Sequence, residues 1–124
     1  MGDVVRVLLV DDDESIREFI SQALVDEGYD VATAPQGAAA LEMIEQDRPS
    51  LILLDLRMPV LDGWGFLEAY QCRPGPHAPV VALTASHDTA TSALPPGVSG
   101  FLAKPFDLYE LLDLVDKLIT PTSL

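Results

Sequence analysis

Five short apolar runs recur along the chain, each separated from the next by a segment long enough for one helix, and this alternation constrains the fold more than any other feature. The runs are Val4–Val10 (VVRVLLV), Tyr29–Thr33 (YDVAT), Leu51–Leu54 (LILL), Val80–Leu83 (VVAL) and Gly100–Ala103 (GFLA). They are short and rich in β-branched residues, and the segments between them carry a helical period. That is the pattern of a repeated βα unit and a parallel sheet. LILL and VVAL are apolar at every position, as strands must be when helices cover both faces of the sheet.

The intervening segments supply the helices. Ile16, Phe19, Ile20, Ala23 and Leu24 fall on one predicted stripe that stops before Gly28, a residue suited to the left-handed turn that ends a helix. Ala38 through Ile44 form a second helix, stopped by Arg48-Pro49, since a residue before proline is pushed out of the helical region. Asp62-Gly63 opens a third, with Trp64 packing beside Phe66, Leu67 and Tyr70. Asp107 is placed to cap the last, in which Leu108, Leu111, Leu112, Val115, Leu118 and Ile119 make an apolar face. Between the fourth and fifth strands, SHDTATSALPPGVSG (Ser86 to Gly100) is small and polar, and Pro95-Pro96 stops any helix by about Leu94. A short or atypical helix is expected there. Five strands and about five helices account for all 124 residues, so one α/β domain spanning 1–124 is expected.

Charge and cysteine content exclude several functions. Seven basic residues stand against twenty acidic ones, a net charge of -13, the opposite of what a nucleic-acid surface needs. No apolar stretch approaches the ~20 residues that cross a bilayer, and the amino-terminal MGDVVRVLLV has neither the charged lead nor the long apolar run of a signal peptide. Cys72 is the single cysteine, so no intrachain disulfide forms, which fits a reducing cytoplasm. The expectation is a cytoplasmic domain that binds neither nucleic acid nor membrane.

The chemistry lies at the strand ends. Ligands of an open parallel sheet bind in the crevice at the carboxyl ends of its strands. The residues at those positions are Asp11 and Asp12 after the first strand, Asp55 after the third, Thr84 after the fourth and Lys104 after the fifth. Three consecutive aspartates, Asp11 to Asp13, follow one greasy strand. At about 5 Å and an effective dielectric of about 20, each like-charged pair costs roughly 3 kcal/mol, so solvent, a helix N-terminus or a metal must offset it. Helix capping accounts for Asp13 but not for Asp11 and Asp12 together with Asp55 and Lys104. Carboxylate oxygens suit a hard divalent cation such as Mg²⁺, and a lysine with a hydroxyl suits a phosphoryl group. A glycine-rich phosphate loop is absent from the sequence, which argues against a bound nucleotide. His77 and His87 lie among proline and Ser/Thr residues, as surface residues do, and carry no assigned role.

The set LLVDDDES, LILLDLRMPVLDGW, VVALTAS and GFLAKPF, in this order and spacing, resembles the receiver domain of bacterial two-component response regulators. The resemblance covers essentially the whole chain. It implies a flavodoxin-like (βα)5 three-layer sandwich with parallel strand order 2-1-3-4-5. By the same resemblance Asp55 is the phosphoacceptor, and Asp11, Asp12, Asp55 and the backbone carbonyl of Arg57 hold Mg²⁺ (or Mn²⁺). Thr84 and Phe101 form a switch pair, Lys104 pairs with the phosphoryl group, and Lys104-Pro105 matches a bond that is usually cis in the family. The implied partners are a sensor histidine kinase or phosphotransfer protein and a downstream protein target, with room for a weak dimer. The implied reaction is Mg²⁺-dependent phosphoryl transfer from a phosphohistidine, with slow autodephosphorylation.

Two rival readings attach to the same residues. A receiver-like module that docks partners without being phosphorylated would not need Asp11, Asp12, Asp55, Thr84 and Lys104 together. A haloacid-dehalogenase-like phosphotransferase would use Asp11 as nucleophile and Asp13 as acid/base, but its later acidic pair follows the lysine, whereas Asp55 precedes Lys104. Three departures from the family pattern stand out. The segment from Thr84 to Lys104 is interrupted by proline. Arg57 puts a large cation two residues past Asp55, where with Ser86 it is expected to alter the phosphoryl lifetime. The sequence given ends at Leu124 without an output element, as in a stand-alone receiver or one trimmed from a longer chain.

Overall fold

A computed structural model of the chain describes residues 6–55, 63–73, 77–85, 98–104 and 107–119, the side chains of 63–64, 84–85 and 103–104 excepted. Among these residues the order is β1 (Arg6–Val10), α1 (Glu14–Asp26), β2 (Asp30–Ala34), α2 (Gly37–Gln46), β3 (Leu51–Asp55), α3 (Gly63–Gln71), β4 (Val80–Ala85), β5 (Val98–Lys104) and α4 (Leu108–Ile119). The atypical helix expected between the last two strands falls at 86–97, outside the described residues.

All pairings are parallel and the sheet runs β2-β1-β3-β4-β5. This is the doubly wound order expected from the resemblance. Because side chains alternate across a strand, each apolar run feeds two cores. Leu8, Val10, Ile52, Leu54, Val80 and Ala82 face α2 and α3, where Ala40, Ile44, Phe66, Leu67 and Tyr70 close the layer. Val7, Leu9, Leu51, Leu53, Val81 and Leu83 face the other way, against Ile20 and Leu24 of α1 and Leu111 and Val115 of α4. Full burial of each valine, leucine or isoleucine in these strands is worth about 1.5–3 kcal/mol, and a polar residue at such a position would forfeit it on one face or the other. This explains why the central strands read as unbroken apolar runs.

The helix ends follow local chemistry. Asp13 is extended, and its Oδ1 accepts from the Ser15 and Ile16 amides to start α1. The same helix ends in a Schellman motif: the Tyr29 amide donates to the Leu24 carbonyl at 3.1 Å and the Gly28 amide to Val25 at 2.9 Å. Gly28 sits at φ +96°, a conformation in which a Cβ is strained. The Asp107 Oδ1 caps α4 by accepting from the Tyr109 amide at 3.0 Å, and the Glu110 Oε1 accepts in turn from the Asp107 amide at 3.1 Å. The two residues form a reciprocal capping box.

The structure corrects the expected stripe of α1 at one position. Phe19 is 60% exposed, whereas Ile20 and Leu24 are buried. One residue step turns a helix by about 100°, which carries Phe19 off the face centred on Ile20. The strands also reach further than their apolar runs. Asp55, Thr84 and Lys104 lie within β3, β4 and β5, and β5 begins at Val98.

Candidate functional site

The sheet register brings the acidic residues together. Val10 pairs with Leu54 across β1 and β3, so the next residue on each strand, Asp11 and Asp55, emerges at the same carboxyl edge. Asp55 pairs in turn with Leu83 of β4, one residue before Thr84, and Lys104 of β5 pairs with Ala85. The backbone therefore sets Asp11, Asp55, Thr84 and Lys104 along one edge in the order the sequence implied. The side chains of Thr84 and Lys104, together with Arg57, Ser86 and Pro105, fall outside the described residues.

Within the described part, the three consecutive aspartates perform three different tasks. Asp11 is fully buried. Its amide extends the ladder by donating to the Ala34 carbonyl at 3.1 Å, and its Oδ1 accepts from the Asp13 amide at 2.9 Å. Its carbonyl accepts from the Arg17 guanidinium at 2.7 Å. Asp13 turns away as the α1 cap, so the acid/base role of the dehalogenase-like reading has no support in its geometry. Asp12 is exposed at the rim.

One carboxylate oxygen from each of Asp11, Asp12 and Asp55 lies within 4.8 Å of the others, and Asp55 is only 5% exposed. Two carboxylates held at that separation repel by about 3.5 kcal/mol at an effective dielectric of about 20. A donor set made only of hard anionic oxygens, two of them buried, fits a small divalent cation that keeps part of its water.

Arg17 escaped the sequence reading. It stands six residues past Asp11, and only the phase of the α1 cap brings its guanidinium back to the Asp11 carbonyl. Phe101 is 41% exposed on β5, beside Ala82 in the register.

Comparison with known proteins places these features. Residues 7–116 match the response regulator receiver domain family. The response regulator MprA of Mycobacterium ulcerans is 41% identical over 126 residues, which span 97% of this chain and 52% of that protein. MprA of Mycobacterium tuberculosis is 40% identical over 124 residues, again 52% of its length. The chain thus spans about half the length of these relatives. Among solved structures, the chemotaxis response regulator CheY4 of Vibrio cholerae superposes with a TM-score of 0.80 at 33% identity, covering 94% of this chain and 99% of that one. A response regulator receiver domain protein of Clostridium thermocellum does so at 0.81 and 26% identity, covering 94% of each.

Proposed function

The chain belongs to the response regulator receiver domain family, and on that premise we propose that Asp55 accepts a phosphoryl group from the phosphohistidine of a sensor histidine kinase or phosphotransfer protein. The observation that carries this reading is the convergence of the Asp11, Asp12 and Asp55 carboxylates within 4.8 Å at the carboxyl edge of the sheet. An Asp55 oxygen attacks phosphorus in line with the P–N bond. That bond breaks, and the imidazole leaves with the electron pair and recovers a proton. A Mg²⁺ or Mn²⁺ ion held by Asp11, Asp12, Asp55 and the Arg57 carbonyl would supply positive charge beside the phosphoryl oxygens. Burial of Asp55 keeps bulk water from its carboxylate, and the Asp13 amide and Arg17 hold the Asp11 carboxylate and carbonyl in place. Lys104 contributes a point charge to the transferring group and Thr84 a neutral donor. Chemistry of this kind depends mostly on positioning and charge.

The aspartyl phosphate adds about 1.5–2 negative charges. Thr84 moves toward the new oxygens, Phe101 turns into the space it leaves, and the surface around β4 and β5 becomes the docking face for a downstream protein. Slow hydrolysis by the domain itself resets the switch. We place this switch in the cytoplasm, where kinase and Mg²⁺ are available; no described helix is long and apolar enough to cross a membrane.

Intact mass after incubation with Mg²⁺ and acetyl phosphate tests the reading. The expected result is a gain of one phosphoryl group that disappears with EDTA and in Asp55→Asn. A protein that gains no mass from acetyl phosphate or from a phosphorylated kinase would be a docking module, and the proposal would fail.

A further inference from the structure

The edge of the sheet opposite the acidic cluster, where the strands begin, has a different character. There the carboxyl-terminal ends of α2 and α3, with the residues that enter β3 and β4, enclose a cavity of about 400 Å³. Its apolar walls are Ile44, Tyr70 and Ala78, and its charged residues are Glu45, Arg48 and Arg73, with His77 at one side.

The walls are held in place. Tyr70 is buried, stacks on Phe66 with ring centroids 5.8 Å apart, and accepts a hydrogen bond from the Ala78 amide through its hydroxyl at 2.8 Å. His77 meets the Tyr70 ring edge-on at 4.8 Å, and its Nε2 lies 3.0 Å from the Arg73 carbonyl. A carbonyl only accepts, so Nε2 carries the proton and donates. That N–H is spent on the backbone, which leaves the two arginines as the cavity's cationic donors for a ligand.

Arg73 pairs with Glu45 at 2.6 Å, which uses one edge of a guanidinium that has five donors. Arg48 is exposed, and among the described residues it has no ion-pair partner. Two arginines against one glutamate leave this lining one positive charge, in a chain whose net charge is -13. An unpaired cation beside a fixed aromatic wall, in a cavity within the range of about 300–1,000 Å³ usual for small ligands, calls for an anion with a flat apolar body. A single positive charge matches a monoanionic carboxylate better than a dianionic phosphate.

We propose that this cavity, with Arg48 at its mouth and Tyr70 as its wall, binds a small aromatic carboxylate. The carboxylate would take the unpaired guanidinium of Arg48, bidentate where its geometry allows, and the ring would lie against Tyr70. The site lies at the edge of the sheet opposite Asp55, so an occupant leaves the carboxyl edge open to a metal and a kinase. The proposal does not depend on whether Asp55 is phosphorylated.

Benzoate is a suitable probe because it is no phosphodonor. Backbone amide resonances of the whole chain would be followed during titration with benzoate and, separately, with neutral benzamide, each without divalent metal. The expected result is a saturable shift centred on Tyr70, Arg73 and Ala78, with a Kd on the order of a millimolar for so small a ligand. Benzamide and the variant Arg48→Gln should each weaken binding by about fivefold or more. Lys117→Gln, on α4 and paired with Asp113, should leave it unchanged. Arg48 holds no described partner, so its replacement should leave the remaining spectrum superimposable. Equal binding of benzamide, an unaltered Kd in Arg48→Gln, or the absence of saturable shifts at these amides would overturn the proposal.

Discussion

Replacing Asp12 with asparagine removes one charge from the acidic cluster and nearly preserves its shape, so stability and metal binding should move in opposite directions. Asp11 and Asp12 are neighbours in the unfolded chain as well, and their mutual repulsion cancels to first order between the two states. The Asp12–Asp55 pair forms only on folding. At the 4.8 Å limit of the cluster, its repulsion is about 3.5 kcal/mol at a dielectric of about 20 and about 0.9 kcal/mol in water. Asp12 is exposed, which draws the figure toward the lower limit. In EDTA, Asp12→Asn should therefore be more stable than the parent by about 1–2 kcal/mol, seen as a higher Tm by several degrees. Adding Mg²⁺ at about 100 times its Kd should stabilise the parent by about 2.7 kcal/mol and the variant far less, reversing their order. Thermal unfolding of both proteins with EDTA and with Mg²⁺ measures all four values. If Asp12→Asn is no more stable in EDTA, or if Mg²⁺ raises both melting temperatures equally, the cluster is not a strained metal site.

Other expectations concern the scaffold. Gly28→Ala meets no atom within 4 Å of its new Cβ but keeps φ at +96°, so urea unfolding should show a loss of about 1 kcal/mol from backbone strain alone, with phosphorylation unchanged. Asp107→Ala removes the side-chain cap on the Tyr109 amide and leaves the backbone bond from residue 107 to Glu110 in place; a loss of about 1 kcal/mol is expected by the same assay. Burial pushes the Tyr29 hydroxyl above its usual range, and the charges of Asp116 and Glu27 push it further. The folded state thus holds this proton more tightly than the unfolded state, whose tyrosine titrates near pH 10. The resulting stability is fully present below about pH 10 and is lost as pH rises through the folded value. The alkaline fall in Tm should accordingly be shallower in Tyr29→Phe.

Much of the fold was legible because the central strands are buried on both faces. LILL and VVAL could serve neither as surface strands nor as amphipathic helices, and Gly28 marked the end of α1 through a backbone conformation that other residues resist. Phe19 was misplaced because a stripe of apolar letters fixes helix phase only to within one residue, and one residue is about 100°. The acidic site was legible at Asp11, Asp12 and Asp55 since a parallel sheet collects its strand ends on one edge. Its supporting contacts were not. The bond from Arg17 to the Asp11 carbonyl depends on where Asp13 starts the helix. The reciprocal bond of Glu110 was written in the spacing Asp107-x-x-Glu110, a signature that stands in plain view. His77 is exposed, as its neighbours in sequence suggested, yet it packs against Tyr70, a contact set by where α3 delivers that ring.

Asp55, and neither Asp11 nor Asp12, should carry the phosphoryl group. Borohydride reduction of the phosphorylated protein converts an aspartyl phosphate to homoserine, and peptide mass mapping then locates the converted residue. Homoserine is expected at position 55 alone, formed only when Mg²⁺ was present during phosphorylation. Conversion at position 11, or labelling that is unaffected by EDTA, would contradict it.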